Sequence, residues 1–237
     1  MFEAFQAWFL EMKEEFILNF VTKNRWEYLT DGLLKTLQIT FFAVIIGIIL
    51  GFIVAVICST YAKTGKLKFL NFLCDIYLAL IRGTPMVVQL MIMYFIVFLP
   101  LGVDKTVTAV LAFGINSGAY VAEIVRGGIM AVDEGQMEAG RSLGFGYVPT
   151  MFFIVIPQAF KAVLPALANE FIVLMKETSV CSFIGLNDLT RGGDIIRGVT
   201  YSDFMPLIAV AAIYLVLVMI LSYFVKLLER RLRNSER

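Results

Sequence analysis

TLQITFFAVIIGIILGFIVAVICSTYA, residues 36–62, runs for 27 residues without a charged side chain. As an α-helix it would extend about 40 Å at 1.5 Å per residue, more than the roughly 30 Å of hydrocarbon in a bilayer. The stretch therefore reads as a membrane-spanning helix, and the chain as an integral membrane protein. Gly47 and Gly51 within it form a small-xxx-small pair that allows another helix to approach closely.

Reading outward toward the C-terminus, residues 63–68 hold three lysines in six positions, which marks a cytoplasmic loop. Residues 67–100 are apolar but interrupted by Asp75 and Arg82, and RGTP at 82–85 breaks a helix at the residue before proline. We read them as one interrupted span. Residues 105–125 give a third span, and the polar island at 133–146 returns the chain to the cytoplasm. A fourth span follows Pro149, kinked at Pro157 and Pro165. A polar loop is expected at 187–203, then a fifth span over 204–225, 22 residues without charge. The tail at 226–237 carries five basic residues. With an odd number of spans, the lysine-rich loop, the polar island and the tail share one side, which the positive-inside rule makes cytoplasmic; the N-terminus is then outside.

Toward the N-terminus, Glu3, Glu11, Lys13, Glu14 and Glu15 interrupt any apolar core of a secretory signal. Phe2, Phe5, Trp8, Phe9, Phe16, Phe20 and Trp26 instead suggest an amphipathic helix lying at the bilayer interface as an anchor. The expected fold is an all-α membrane protein of about five spans. Its parts are an N-terminal amphipathic segment at 1–31, a transmembrane domain at 32–228 and a basic cytoplasmic tail at 229–237.

Composition narrows the function. Of 237 residues, 59% are hydrophobic and 16% charged, with a net charge of +1 spread over loops and the tail, so no nucleic-acid partner is inferred. The absence of histidine removes histidine triads, histidine general bases and imidazole metal sites, and no metal site is expected. Cys58, Cys74 and Cys181 stand apart in apolar surroundings and read as small buried hydrophobes. Neither G-x-x-x-x-G-K-[ST] nor G-x-G-x-x-G occurs, so the chain lacks both common phosphate cradles.

The polar island continues into EAGRSLGFGYVPTMFFIVIP, residues 138–157. Its Glu138, Ala139, a small residue at 140, Gly144, Ile154 and Pro157 resemble the Glu-Ala-Ala signature of ATP-binding-cassette importer permeases. Gly140 stands where the signature has a second alanine, and Ile156 where it has leucine. RGTPMVVQL at 82–90, AYVAEIVRGGIMAVDEGQMEAGRSLG at 119–144 and IPQA at 156–159 are similar to the polar amino acid branch (histidine, glutamine, arginine type) of that family, and the likeness covers the chain from about residue 32 onward.

The resemblance implies a type I importer core in a bacterial cell (inner) membrane, and a transport subunit that is not itself an enzyme. It also implies partners: two ATP-binding-cassette ATPase chains that carry the ATP and Mg, a second permease copy or paralogue, and an extracytoplasmic substrate-binding protein. A coupling helix at about 134–146, with Glu138, Ala139, Gly140, Arg141, Ser142, Leu143 and Gly144, would dock in an ATPase groove. There it would carry closure into the membrane as a rigid-body motion. Small residues permit close approach, Glu138 and Arg141 supply charged contacts at the rim, Ser142 and Leu143 cap and anchor, and Gly144 and Gly146 end the helix. The expected substrate is a polar or cationic amino acid. Another amino-acid-like solute such as cystine or an opine stays open, as do a secondary transporter and a channel, neither of which accounts for the cytosolic signature.

Strongly polar groups at membrane depth are costly and face a cavity or a partner. Asn116, Tyr120 and Glu123 share one helical face, with Ser117 adjacent. Glu170 lies beside Asn169 in an apolar run, and Thr84 and Gln89 flank the break at Pro85. These seven residues, Thr84, Gln89, Asn116, Ser117, Tyr120, Glu123 and Glu170, are the candidates for a substrate pathway. Two can instead be satisfied within the protein, Glu123 by Arg126 and Glu170 by Lys176 or by a neighbouring helix. A carboxylate free at position 170 favours a cationic or amide side chain.

Overall fold

The computed structural model describes residues 2–234; the final three residues of the basic tail lie outside it, as do the side chains of Phe2 and Phe5 of the aromatic stripe. Helix α1 (Phe2–Phe16) leads into a π-helical turn at Ile17–Val21. Lys23 and Asn24, both at positive φ, then turn the chain into α2 (Trp26–Thr64). Trp8, Phe9 and Phe16 are exposed, as an interfacial helix requires, whereas Phe20 is buried with Leu29, Leu189, Ile196 and Val210. The segment is also fixed by polar contacts. The buried Asn19 side chain donates to Glu15 O at 2.8 Å and accepts from Thr200 Oγ1 at 2.8 Å, and Arg25 donates to the Leu18 carbonyl. The domain start expected at residue 32 falls inside α2, because the helix begins six residues earlier, at Trp26.

The interrupted span is two helices, α3 (Lys68–Gly83) and α4 (Met86–Met91), the latter continued by π-helical and 3-10 turns to Leu101; the two arms are bent by 107°. Thr84 is extended (φ −125°, ψ 145°), the conformation that a following proline imposes. Helix α5 (Lys105–Met130) starts at Asp104, whose Oδ1 accepts the Thr106 N–H at 2.7 Å. This bond, with the Val107 N–H, holds the Asp104 carboxyl below its ordinary range. Next come α6 (Glu134–Ser142), α7 (Tyr147–Thr150), a π-helical turn at Met151–Val155 and α8 (Ile156–Glu177). The fourth span thus begins at Tyr147, before Pro149, since a proline in the first turn of a helix loses no hydrogen bond.

The polar stretch expected as a loop at 187–203 is mostly helix, α9 (Leu189–Thr200), and this corrects the sequence reading. Asp188 caps it by accepting the N–H groups of Thr190 (3.0 Å) and Arg191 (3.2 Å), and Leu189, Gly192, Gly193 and Ile196 are buried along one face. Its polarity belongs to the opposite face. Helix α10 (Phe204–Asn234) completes the chain.

Among the described residues, four helical stretches are long and apolar enough to cross a bilayer: Trp26–Thr64, Lys105–Met130, Tyr147–Ile184 and Phe204–Leu232. The bent α3–α4 pair brings these to five when taken as one span. Helices α2 and α5 run parallel and in contact along their length. A Cβ on Gly47 would lie 2.9 Å from Ser117 Cβ, and one on Gly51 only 2.6 Å from Val121 Cβ. The small-xxx-small pair therefore serves packing within the chain, where close approach recovers dispersion contacts that lipid tails supply less tightly. Helix α8 packs antiparallel on α5, burying Val125 and Ile129 against Val155, Ala159 and Val163.

Candidate functional site

Helix α6 begins at Asp133, whose Oδ1 accepts the Gly135 N–H at 2.7 Å, and ends at Ser142, short of the expected 146. Gly144 is at φ +87°, and Phe145 N donates back to Gly140 O at 3.1 Å, which reverses the chain toward α7. Glu138, Ala139, Arg141, Ser142, Leu143 and Gly144 are exposed, and Gly140 is buried. The burial explains the departure from alanine. A Cβ at 140 would lie 2.5 Å from Thr150 Cγ2 and 3.1 Å from Ile154 Cδ1, so glycine lets α6 lie directly on the start of the fourth span. The side chains of Gln136 and Gln158 add a hydrogen bond of 3.2 Å between α6 and α8. The helix is thus fastened to the span that follows it while its other face stays open, an arrangement that can pass a push on that face into α8.

The pathway candidates fall into three groups. Gln89 donates through Nε2 to Ile81 O (2.7 Å), Thr84 O (3.0 Å) and Thr84 Oγ1 (2.8 Å), while its Oε1 accepts from Asn116 Nδ2 at 3.0 Å. Gln89 therefore satisfies carbonyls freed by the break at Pro85 and ties the bend to α5. Thr84, Gln89 and Asn116 come together as this brace. Ser117 and Glu170 meet at the middle of α5 and α8, where Ser117 Oγ donates to Glu170 Oε1 at 2.9 Å. Among the described residues no lysine or arginine reaches ion-pair distance of Glu170, so the pairing with Lys176 is absent. Tyr120 is exposed on the same face of α5 as Glu123.

Glu123 pairs with Arg126 at 3.2 Å, as the i, i+3 spacing allows, and also with Arg82 at 3.5 Å. Arg82 is the residue that sequence reasoning passed over. It stood in the quoted RGTP motif, but its partner lies on another helix and the packing of α3 on α5 brings the two together. The three charges leave an excess of one positive on a half-exposed surface. Tyr77, also missed, donates its hydroxyl to Ile115 O at 2.5 Å and locks α3 to α5.

With this geometry in view, the likeness to known proteins is specific. The model of the family described as binding-protein-dependent transport system inner membrane component matches residues 44–234. The chain belongs to this family. It is 40% identical over 211 residues to the arginine transport system permease protein ArtQ of Bacillus subtilis, covering 88% of this chain and 94% of that one. It is 37% identical over 220 residues to a putative glutamine transport system permease protein GlnP of Rickettsia bellii, covering 92% and 98%. A crystal structure of an amino acid ABC transporter with histidines matches with a TM-score of 0.81 at 43% identity, covering 90% of this chain and 98% of that one. As a member of the family the chain is a multi-span membrane transport subunit of type I importer architecture.

Proposed function

We propose that this permease moves polar or cationic amino acids through the membrane, driven by ATP hydrolysis on separate chains. One observation carries the substrate class: Glu170 is a carboxyl at mid-membrane depth whose hydrogen-bond partner is the neutral Ser117 and which has no cation beside it among the described residues. A charge left in that position is costly unless something binds it. The ammonium or guanidinium of an amino acid meets this need, and the Arg82–Glu123–Arg126 surface offers positive charge for a carboxylate. A neutral amide is the second reading, and the likeness to the putative glutamine permease favours it.

The exposed face of α6 is the coupling surface for an ATPase chain that carries ATP and Mg, with residues 138–144 in contact. A second permease, identical or paralogous, completes the pathway, and an extracytoplasmic binding protein delivers the solute. With spans that alternate in direction, residues 63–68, α6 and the C-terminal end of α10 fall at one end of the bundle. The lysines place that end in the cytoplasm and the N-terminus outside.

The test is transport in reconstituted complexes at saturating binding protein, comparing Glu170→Gln with the unaltered chain. A lost charge-assisted hydrogen bond of roughly 1.5–3 kcal/mol corresponds to about ten-fold or more in apparent affinity for arginine, with glutamine much less affected. Equal losses for both solutes would make Glu170 a structural residue and remove the support for a cationic substrate.

A further inference from the structure

Two of the three cysteines, which stand apart in the sequence, meet in the fold. Helices α2 and α3 fold back on each other across a turn at residues 65–67, where Gly65 and Leu67 take positive φ. Cys58 lies six residues before the end of α2 at Thr64, and Cys74 six residues after the start of α3 at Lys68. Equal distances from the turn put the two at one height, about 9 Å into the hairpin at 1.5 Å per residue. They also face each other: both pack in one cluster with Val54 and Ala122, and each thiol is within hydrogen-bonding reach of the other. Their accessibility differs. Cys74 is buried, whereas Cys58 is partly exposed and lines an open cleft of about 520 Å³ between α2, α3 and the joint of α5 with α6. Cys181 is buried elsewhere, in a cluster with Ile39, Leu90 and Phe113.

We propose that Cys58 and Cys74 are an oxidisable thiol pair that a peroxide closes into a disulfide, clamping α3 to α2 and braking transport. Cys58, reached through the cleft, reacts first. Its sulfur, having given up the thiol proton, attacks one peroxide oxygen; the O–O bond breaks, the first water leaves and a sulfenic acid remains. The Cys74 sulfur then attacks the Cys58 sulfur, the S–O bond breaks, and the second water leaves with the Cys74 proton. The two sulfurs lose two electrons between them, and the peroxide is reduced to two waters. Apolar surroundings make the first step slow, so the link closes under sustained peroxide, and a dithiol reopens it by exchange. The mechanical consequence follows from what α3 carries. Tyr77 donates to Ile115 O and Arg82 pairs with Glu123, so α3 is already tied to α5. A covalent tie to α2 then fixes the first arm of the bent span on both sides, whereas transport requires elements to shift as rigid bodies. The brake rests on the transport function proposed above; the chemistry of the pair does not.

The experiment treats the complete permease and ATPase complex in proteoliposomes, with saturating binding protein, with hydrogen peroxide. The intact mass of the permease, its ATPase activity in the complex and arginine uptake are followed together. The expected result is the loss of two hydrogens from a single chain, a digest in which the Cys58 and Cys74 peptides are joined, and Cys181 still open to maleimide after denaturation. Uptake and ATPase activity fall in proportion to the linked fraction and return with dithiothreitol. Cys58→Ala and Cys74→Ala, small apolar replacements, keep untreated uptake and make it resistant to peroxide. With Cys74→Ala, dimedone marks a sulfenic acid on Cys58, and with Cys58→Ala it marks none on Cys74. A chain that keeps both thiols under peroxide, one that links only to other chains, or a linked chain as active as the untreated one overturns the proposal, as does an equal loss of activity in Cys74→Ala. Failure of the transport reading shows separately, as no uptake of arginine or glutamine by the untreated complex, and the mass and ATPase activity of the treated complex then still decide the clamp.

Discussion

Replacing Gly140 by alanine, the residue that the family signature places there, sets two effects of opposite sign against each other. Alanine favours a helix interior over glycine by up to about 1 kcal/mol. The new methyl would sit 2.5 Å from Thr150 Cγ2 and 2.9 Å from Thr150 Oγ1. Carbon atoms pack at about 3.5–4.0 Å, so α6 must lift by roughly 1 Å from α7. Overpacking of this kind costs about 1–3 kcal/mol, and steric cost wins over propensity by up to about 2 kcal/mol. Thr150 cannot easily turn away, because its hydroxyl donates to Gly146 O at 2.9 Å. Thr150→Ser keeps that bond and removes the closer of the two contacts while leaving the hydroxyl oxygen, so Gly140→Ala with Thr150→Ser regains part of the loss and shows a favourable coupling in a double-mutant cycle. The assay is thermal unfolding of the purified permease in nanodiscs, paired with substrate-stimulated ATPase activity of the complex. Gly140→Ala alone matching or exceeding the unaltered protein in stability, with no coupling to position 150, would refute the close-approach argument.

The remaining predictions concern the cap of α9, the coupling surface and the topology. Burial of Asp188 raises its carboxyl to about 6 despite the capping N–H groups, so the folded state holds this proton more tightly than the unfolded one. Its contribution to stability therefore falls as pH rises from about 4 to 6, by an amount on the order of 3 kcal/mol. Asp188→Asn, which still accepts the capping bonds, flattens that slope in thermal unfolding from pH 4.5 to 7.5, and parallel slopes for the two proteins would count against the buried charge. A bulky residue at Glu138 or Gly144 leaves the chain inserted but removes substrate stimulation of ATP hydrolysis, and normal stimulation in both variants rules out docking through α6. With Cys58, Cys74 and Cys181 replaced, a cysteine at Ser202 reacts with an impermeant maleimide added outside the cell; labelling at Ser235 instead would reverse the proposed orientation.

How much of this was legible in the sequence depends on the range of the interaction involved. Crossing a bilayer is decided by the apolar character of about twenty consecutive residues, a local quantity, so the charge-free runs at 36–62 and 204–225 located spans directly. The break at Pro85 was equally local, because a proline constrains its own neighbours whatever surrounds it. The signature at 138–144 was readable for a similar reason, since its small residues and acid lie within one helix.

Tertiary structure alone decided the rest. A hydropathy profile averages over both faces of a helix, so α9, apolar on one side and charged on the other, passed for a loop. The 107° bend is an angle that composition does not encode, and with it the packing of both arms on α5 brings Arg82 to Glu123 and Gln89 to Asn116. Gly140 stood out only as a departure from the alanine of the signature and proved to be a contact, because its meaning depends on Thr150 of another helix. Glu170 was found from its cost in a membrane, but which side chain lies beside it depends on packing, and that of α8 against α5 brings Ser117 to it instead of Lys176.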